Sequence, residues 1–375
     1  MNLKIRAYAD LHLYYKREDM DRYNNEELSN LKKELYNNPP DLLVFCGDLC
    51  HTTYKSDDIR FINIIKFITK VVDICKEKNV QFRIIQGTSS HDGKIVSIIR
   101  DIFKNESFVK AFTSVEYENF NGTIIRYLPE PYFDTYQNFY DYAFSQMADI
   151  TFFHGSIDRV LPQLTQKDNV TNLPKSVVIK QEDLLANTRL FSAGGHIHKH
   201  FDINGKIFYI NSLTTHNFSD VNNIKGYMEF SVENNKYDYK YIKNYNAPKY
   251  LDFKIEDIHT LYKDDIKAKI GNIMLASGSS KDNIRFTITG DMTREAISNV
   301  SYIRALMRKY NIKIITKYTE VQNENMISEE ADFFTDDSID IKEKIKRIAK
   351  TDYNMDFSIE RISKLINENI ISKGD

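Results

Sequence analysis

Tryptophan is absent from this chain and cysteine is scarce. Cys46, Cys50 and Cys75 are too few, and too odd in number, for a disulfide framework. They read as reduced, intracellular thiols packed as small hydrophobes, with metal contact beside Asp48 as the alternative for Cys46 and Cys50. Long apolar runs are missing too. Nothing approaches the ~18 consecutive apolar residues of a membrane span. The opening "MNLKIRAYADLH" enters strand alternation without the apolar core of a signal peptide. A cytoplasmic protein with no membrane partner is expected. Nor is one charge in excess: 51 Lys and Arg face 53 Asp and Glu, and the formal net charge of -2 gives no global attraction to nucleic acid.

The 375 residues, 42% of them hydrophobic, suffice for a large core and two or three domains. Abundant Asn, Lys, Ile and Tyr is the composition of an AT-rich source, such as a bacteriophage or a low-GC bacterium. "LKIRAYAD" sets Leu3, Ile5, Ala7 and Ala9 on one side at period two. "DLLVFCGD" is a near-continuous apolar run, as in a strand buried on both faces. "QFRIIQG", "ADITFFHG" and "RLFSAGGH" complete a set of five. Between them lie helical segments, notably 57–79, where Ile59, Ile62, Ile65, Ile68, Val72 and Cys75 recur at helical spacing. This alternation predicts an α/β layer fold.

A β-rich section follows, with turn signals at Asn204-Gly205 and Asn234-Asn235. The expected organisation is a first domain over 1–245, a small α/β domain over 250–318, an acidic linker over 319–337 and a helical tail over 338–375. Residues 304–317 are locally basic, with Arg304, Arg308, Lys309, Lys313 and Lys317. The tail carries an apolar stripe through Ile359, Ile362, Leu365, Ile366 and Ile370, which suits either a partner helix or the protein's own body.

The chemistry concentrates where the five strands end. In order they close with Asp10-Leu11-His12, Gly47-Asp48, the loop Gly87-Thr88-Ser89-Ser90-His91-Asp92, His154-Gly155 and Gly195-His196-Ile197-His198. Any one is an ordinary polar turn, but parallel α/β sheets bind ligands beyond the carboxyl ends of their strands. Mixed carboxylate and imidazole donors suit Mn²⁺, Fe or Zn²⁺. Residues two apart, such as Asp10 and His12, can chelate one ion, and a carboxylate such as Asp48 can bridge two. Two ions ~3.5–4 Å apart form a clamp for phosphoryl transfer.

This ordered set resembles the calcineurin-like metallophosphoesterases, and most of all the SbcD-type DNA repair nucleases; "PPDLLVFCGDLCH" fits the lead into that subgroup's second motif. The resemblance covers roughly residues 1–220. It implies a metallophosphoesterase sandwich of sheets flanked by helices, followed by a small capping domain and a helical tail. It implies two divalent ions, Mn²⁺ first, with Mg²⁺, Fe or Zn²⁺ as alternatives. One ion would be held by Asp10, His12 and His198, and the other by His154, His196 and the residue before His91, with Asp48 shared. His91 would act on the scissile phosphate, and Asp92 would orient it. The family's loop reads Gly-Asn-His-Asp or Glu, and its asparagine is a metal ligand. Here the loop is two residues longer, and Ser90 stands where asparagine is expected, with Thr88 as the alternative.

The expected function is a metal-dependent nuclease, acting as an exonuclease, an endonuclease or both. The resemblance implies an SMC-like, SbcC-type ATPase as partner and a homodimer. DNA would be contacted by His51 at the cleft and by Arg304, Arg308 and Lys309 in the small domain. The alternatives are a metallophosphatase acting on a nucleotide or phosphoprotein, and a catalytically weakened scaffold that binds DNA or the ATPase.

Overall fold

A computed structural model describes residues 2–14, 20–130, 142–158, 178–216, 220–221, 223–277, 283–291, 293–307, 313–319, 340, 342–343, 346 and 358–361. Within residues 1–245 lie two six-stranded sheets. The first is assembled from β1 (Leu3–Tyr8), β2 (Leu42–Cys46), β3 (Gln81–Ile85), β4 (Val109–Phe112), β11 (Gly226–Glu233) and β12 (Lys236–Lys243), in the order β12-β11-β1-β2-β3-β4. The second contains β5 (Glu116–Phe120), β6 (Thr123–Leu128), β7 (Ala148–His154), β8 (Thr188–Gly195), β9 (Phe201–Ile203) and β10 (Ile207–Tyr209), in the order β5-β6-β7-β8-β10-β9.

β1 to β4 pair in parallel, as do β6, β7, β8 and β10. Hairpins close the antiparallel edges. Asn234 and Asn235 both take positive φ (50° and 58°) between β11 and β12, as their turn requires. The fold is therefore an α/β sandwich of two sheets flanked by helices, as expected. The five strands expected to share one edge are divided, with β1, β2 and β3 in one sheet and β7 and β8 in the other. Local pattern marks a strand, but which strands pair is decided at long range.

Burial explains the apolar runs. Along β2, Leu42, Val44 and Cys46 join the cluster between the sheets, while Leu43 and Phe45 join the cluster on the opposite face. Helices α1 (Met20–Asn37) and α2 (Ile59–Lys78) cover that opposite face, contributing Leu28, Leu31 and Leu35 from the first and Ile64, Ile68, Val71 and Cys75 from the second. Asp58 caps α2 by accepting from the Arg60 backbone amide at 2.8 Å, and Asn79 ends it in the left-handed region at φ 56°. The three cysteines are free and buried, and burial pushes the Cys46 thiol up, so they pack as hydrophobes.

Two aromatic stacks bridge the sheets, Phe112 on Tyr127 and Phe191 on Phe230, each with ring centroids 4.1 Å apart. Such pairs contribute about 0.5–1.5 kcal/mol beyond their buried area. On the outer face of the second sheet, Phe153, Ile207 and Tyr209 pack with Leu184 of α5 (Gln181–Asn187). Two further short helices, α3 (Ser89–Asp92) and α4 (Ile95–Ile102), follow β3.

The chain divides into two compact units, the first containing Met1–Lys254, Ala268–Thr287 and Met307–Ile315, and the second containing Ile255–Lys267 and Ile288–Leu306. A three-stranded sheet has the order β13 (Tyr250–Ile255), β14 (Asn283–Asp291), β15 (Lys313–Thr319). The helices of this region are α6 (Lys263–Ser277) and α7 (Arg294–Met307). A 3-10 turn at Ile258–Thr260 precedes α6, which starts at Lys263. The expected acidic linker and most of the expected tail lie outside the described residues. No helix among the described residues is long and apolar enough to cross a membrane.

Two ion pairs, both made by Glu118, clamp the sheets at their edge. Arg83 of β3 donates from Nε to Glu118 Oε2 of β5 and from Nη2 to Glu118 Oε1, both at 2.8 Å, with the two side chains 2% and 10% exposed. Burial alone would raise the Glu118 pKa, but the hydrogen bonds from Arg83 and Lys110 outweigh it and hold the carboxyl down at about 2. Its stabilising contribution is therefore complete above the ordinary value of 4.5 and is lost as pH falls from there towards 2. Replacing Arg83 by Met leaves Glu118 with only Lys110 and the Tyr127 hydroxyl as partners and should cost about 1–3 kcal/mol at pH 7, measured by urea unfolding. The Arg83→Met/Glu118→Met double variant should recover much of that loss; a single variant as stable as wild type contradicts the clamp.

Candidate metal centre

Parallel strands carry their ends to one edge, and in this sandwich the two sheets deliver to the same place. The first sheet supplies Asp10 and His12 after β1, Asp48 after β2, and the Gly87–Asp92 loop after β3. Glu130 follows β6, His154 ends β7, and His196 and His198 follow β8 in the second. Three hydrogen bonds tie one sheet to the other here. His154 Nδ1 donates to the Cys46 carbonyl at 2.9 Å, the His196 amide donates to Asp10 Oδ1 at 2.9 Å, and the Glu130 amide donates to the Gln86 carbonyl at 3.2 Å.

The backbone is bent to make this possible. Asp10, His12, Asp48 and His196 all have positive φ, at 49°, 43°, 49° and 98°. Non-glycine residues held there cost of order 1–3 kcal/mol each and persist where the surroundings over-determine them. Gly47, at φ 80°, has a second reason to lack a side chain: a Cβ would fall 2.1 Å from His154 Nδ1.

Among the described residues four overlapping groups of donor atoms result, each with all members within 4.8 Å of one another. They are Asp10/His12/His198, Glu130/His154/His196, Asp10/Asp48/His154 and His12/His51/His91. His12 Nε2 lies 2.9 Å from His198 Nε2 and 3.7 Å from Asp48 Oδ2, and His154 Nε2 lies 3.3 Å from Asp48 Oδ1. Asp10, His12, Asp48, Glu130 and His154 are buried, whereas His51, His91, His196 and His198 are half-buried. The half-buried histidines line the side of the cluster open to solvent.

Its electrostatics call for a cation. No lysine or arginine among the described residues forms an ion pair with the buried carboxylates Asp10, Asp48 or Glu130. Asp10 Oδ2, His12 Nδ1 and Glu130 Oε2 are buried without hydrogen-bond partners, a condition that ordinarily costs about 1–3 kcal/mol per group. Burial and the neighbouring His198 ring push His12 well below the ordinary imidazole value, keeping it in the neutral form a metal binds. Burial also works against charge on His154, but Asp48 and then Asp10 outweigh it and raise its pKa to about 10. A proton on His154 thus stands in for missing positive charge. Orphaned donors, neutral imidazoles and unpaired carboxylates fit divalent cations.

Around the cluster, Asn223 Nδ2 and Lys225 Nζ donate to the His198 carbonyl, Lys225 at 3.1 Å, and Lys225 also pairs with Asp220 at 2.6 Å. His216 is buried with its ring centroid 4.9 Å from that of His12. Asn211 Nδ2 donates to Asn223, the Ile224 carbonyl and the Tyr241 hydroxyl, which makes it a structural position. His200 stacks on Tyr241 at 3.9 Å and bonds the Tyr209 carbonyl, also a structural position.

The loop after β3 departs from expectation at two points. Asp92 does not orient His91. Its carboxylate accepts from the Gly87 amide at 2.7 Å and the Cys50 amide at 3.1 Å, pinning the loop, while the His51 carbonyl holds His91 Nδ1. Ser90 is exposed, and its carbonyl accepts from the Thr53 amide. Thr88 faces the cluster instead, with Oγ1 3.4 Å from Asp48 Oδ2 and 3.5 Å from His154 Nε2. Arg304 is exposed on α7, and Arg308 and Lys309 lie outside the described residues. Glu130 escapes a reading of the sequence because β6 does. Arg126 breaks the alternation of "TIIRYLPE", although the Asn121-Gly122 turn before it is a hairpin signal.

Comparison with known proteins finds similarity to the SbcD component of the nuclease SbcCD from Staphylococcus epidermidis, 24% identical over 234 residues, covering 56% of this chain and 60% of the relative. The chain thus spans about three fifths of the length of the curated relative it matches. No family model matches the chain.

Because the His154 proton must leave when a cation binds, Mn²⁺ binding should release at least one proton at pH 7. Apparent affinity should then rise about tenfold per pH unit for each proton displaced below about pH 10. Calorimetry in buffers of different ionisation enthalpy measures this directly. Equal affinity at pH 6.5 and 8.5, without proton release, contradicts it.

Proposed function

We propose that the chain is a metal-dependent nuclease of the metallophosphoesterase type that hydrolyses phosphodiester bonds in DNA. The observation that carries this reading is the convergence of buried carboxylates and neutral imidazoles, with orphaned donor atoms, at the seam of the two sheets. Similarity to the SbcD component of a nuclease supports it independently. In this reading Asp10, His12 and His198 hold one divalent ion, His154 and His196 hold the other, and Asp48 is shared. Mn²⁺ is the first choice for both. When bound, the ions polarise the phosphodiester and make water nucleophilic at neutral pH.

The chain's own residues do the rest. The His51 carbonyl accepts the Nδ1 proton of His91. That leaves Nε2 of His91 as the atom that passes a proton to the departing oxygen. Asp92 fixes the loop carrying His91 through the Gly87 and Cys50 amides. The Lys225–Asp220 pair steadies the segment of His198. His51, half-buried beside His91, meets the substrate strand. Arg304 on α7 serves sequence-independent contact with phosphate, and its effect is expected to weaken as salt rises. By analogy with the relative's name, an SbcC-type ATPase is the proposed partner.

Purified protein incubated with linear duplex and single-stranded DNA should cleave with Mn²⁺ and not with chelator. His91→Ala should slow cleavage at least about 100-fold while retaining Mn²⁺. Asp48→Ala should lose both. Cleavage in chelator, or undiminished cleavage by both variants, contradicts the reading.

A further inference from the structure

The ligand set described so far is unequal: one ion has a carboxylate of its own in Asp10, while the other has only imidazoles beside the shared Asp48. The structure contains a residue that removes the inequality. Glu130 has a side chain 2% exposed, its Oε2 has no hydrogen-bond partner, and that atom lies 3.9 Å from His154 Nε2 and 4.0 Å from His196 Nδ1. A buried carboxylate oxygen without a donor is costly, and two imidazoles at this distance do not relieve it by hydrogen bonding. A cation between the three does.

Its placement is not accidental to the loop after β3. The Glu130 amide donates to the Gln86 carbonyl at 3.2 Å, so Glu130 docks at the residue where the lengthened loop begins. That loop carries Ser90 outward and leaves only the Thr88 hydroxyl near Asp48 and His154. A neutral hydroxyl is a weak donor to a divalent cation, and a carboxylate is a strong one. We infer that Glu130 is a direct ligand of the second ion, taking the place that the loop after β3 leaves without an amide donor.

This inference rests on the metal-centre reading above and sharpens it. The site becomes two like halves, Asp10/His12/His198 and Glu130/His154/His196, each with one carboxylate and two imidazoles. Three carboxylates against two dications leave one net positive charge, where a neutral amide donor would leave two. The second ion is therefore held about as firmly as the first. The donor set mixes carboxylate oxygen with imidazole nitrogen and has no thiolate, which suits Mn²⁺, Fe²⁺ or Zn²⁺ rather than thiophilic ions.

The test counts Mn²⁺ ions and reads their coupling, independently of cleavage. Wild type, Glu130→Gln and Glu130→Ala are titrated with Mn²⁺ by calorimetry and by electron paramagnetic resonance, which distinguishes an exchange-coupled pair from isolated ions. Wild type is expected to bind two ions within about tenfold of each other and to show a coupled pair. Glu130→Gln, which keeps the shape and an amide oxygen, should weaken one ion about 10–100-fold and leave the other unchanged. Glu130→Ala should bind a single, uncoupled ion, with a melting curve establishing that it is folded. If Glu130→Ala does not fold, Glu130→Gln alone decides. Two coupled ions bound by the variants as tightly as by wild type overturn the role of Glu130 and leave the nuclease reading standing. Wild type that binds no Mn²⁺ overturns both. The expected loss of one ion from the variants, in a protein that cleaves no DNA, supports the ligand and overturns the substrate.

Discussion

Three cross-sheet hydrogen bonds hold this architecture to its chemistry. His154 to Cys46, His196 to Asp10 and Glu130 to Gln86 each join a strand end of one sheet to a strand end of the other, and in each a residue of the metal cluster takes part. Away from the seam the sheets are held by apolar packing, which tolerates small shifts, and by the ion pairs of Glu118 at one edge. At this seam the backbone is turned through positive φ at Asp10, Asp48 and His196, so side chains from facing layers arrive at one point. The sandwich fixes the ligands, and the strain of the turns is accepted because the layers behind them are rigid.

The same seam gathers more negative charge than the protein can neutralise by itself. Asp10, Asp48 and Glu130 are buried together, and the positive partner within reach is a histidine whose pKa is raised to about 10 by those carboxylates. Elsewhere Glu118 is matched with Arg83 and Asp220 with Lys225, while Asp92 is held by two backbone amides. The contrast separates structural ion pairs from a cluster whose donor atoms could hold a metal ion. A buried carboxylate without a partner is destabilising on its own and becomes stabilising only when a cation arrives.

Much of this is legible in the sequence. Strands β1, β2, β3, β7 and β8 and helix α2 follow from period two and period 3.6, because each buries a face that the pattern exposes. The Asp and His residues at those strand ends follow from the rule that parallel sheets bind at their carboxyl edges. What the pattern does not carry is long range. It leaves β4 to β6 unread, since Lys110, Glu118 and Arg126 are charged residues held by pairing or ring contact, and they interrupt alternation without ending a strand. With β6 unread, Glu130 has no address. Likewise Asp92 stands next to His91 in sequence, which suggests a pair, yet the fold gives it to two backbone amides. Adjacency along the chain is a poor guide to which acceptor a donor finds in a tight loop.

The most direct test of the central claim, that this seam is a two-cation site, is anomalous diffraction from crystals grown with Mn²⁺. Two peaks are predicted, one bounded by Asp10, His12 and His198 and the other by Glu130, His154 and His196, with Asp48 touching both. A single peak, or density at the seam with no anomalous signal, would contradict the account.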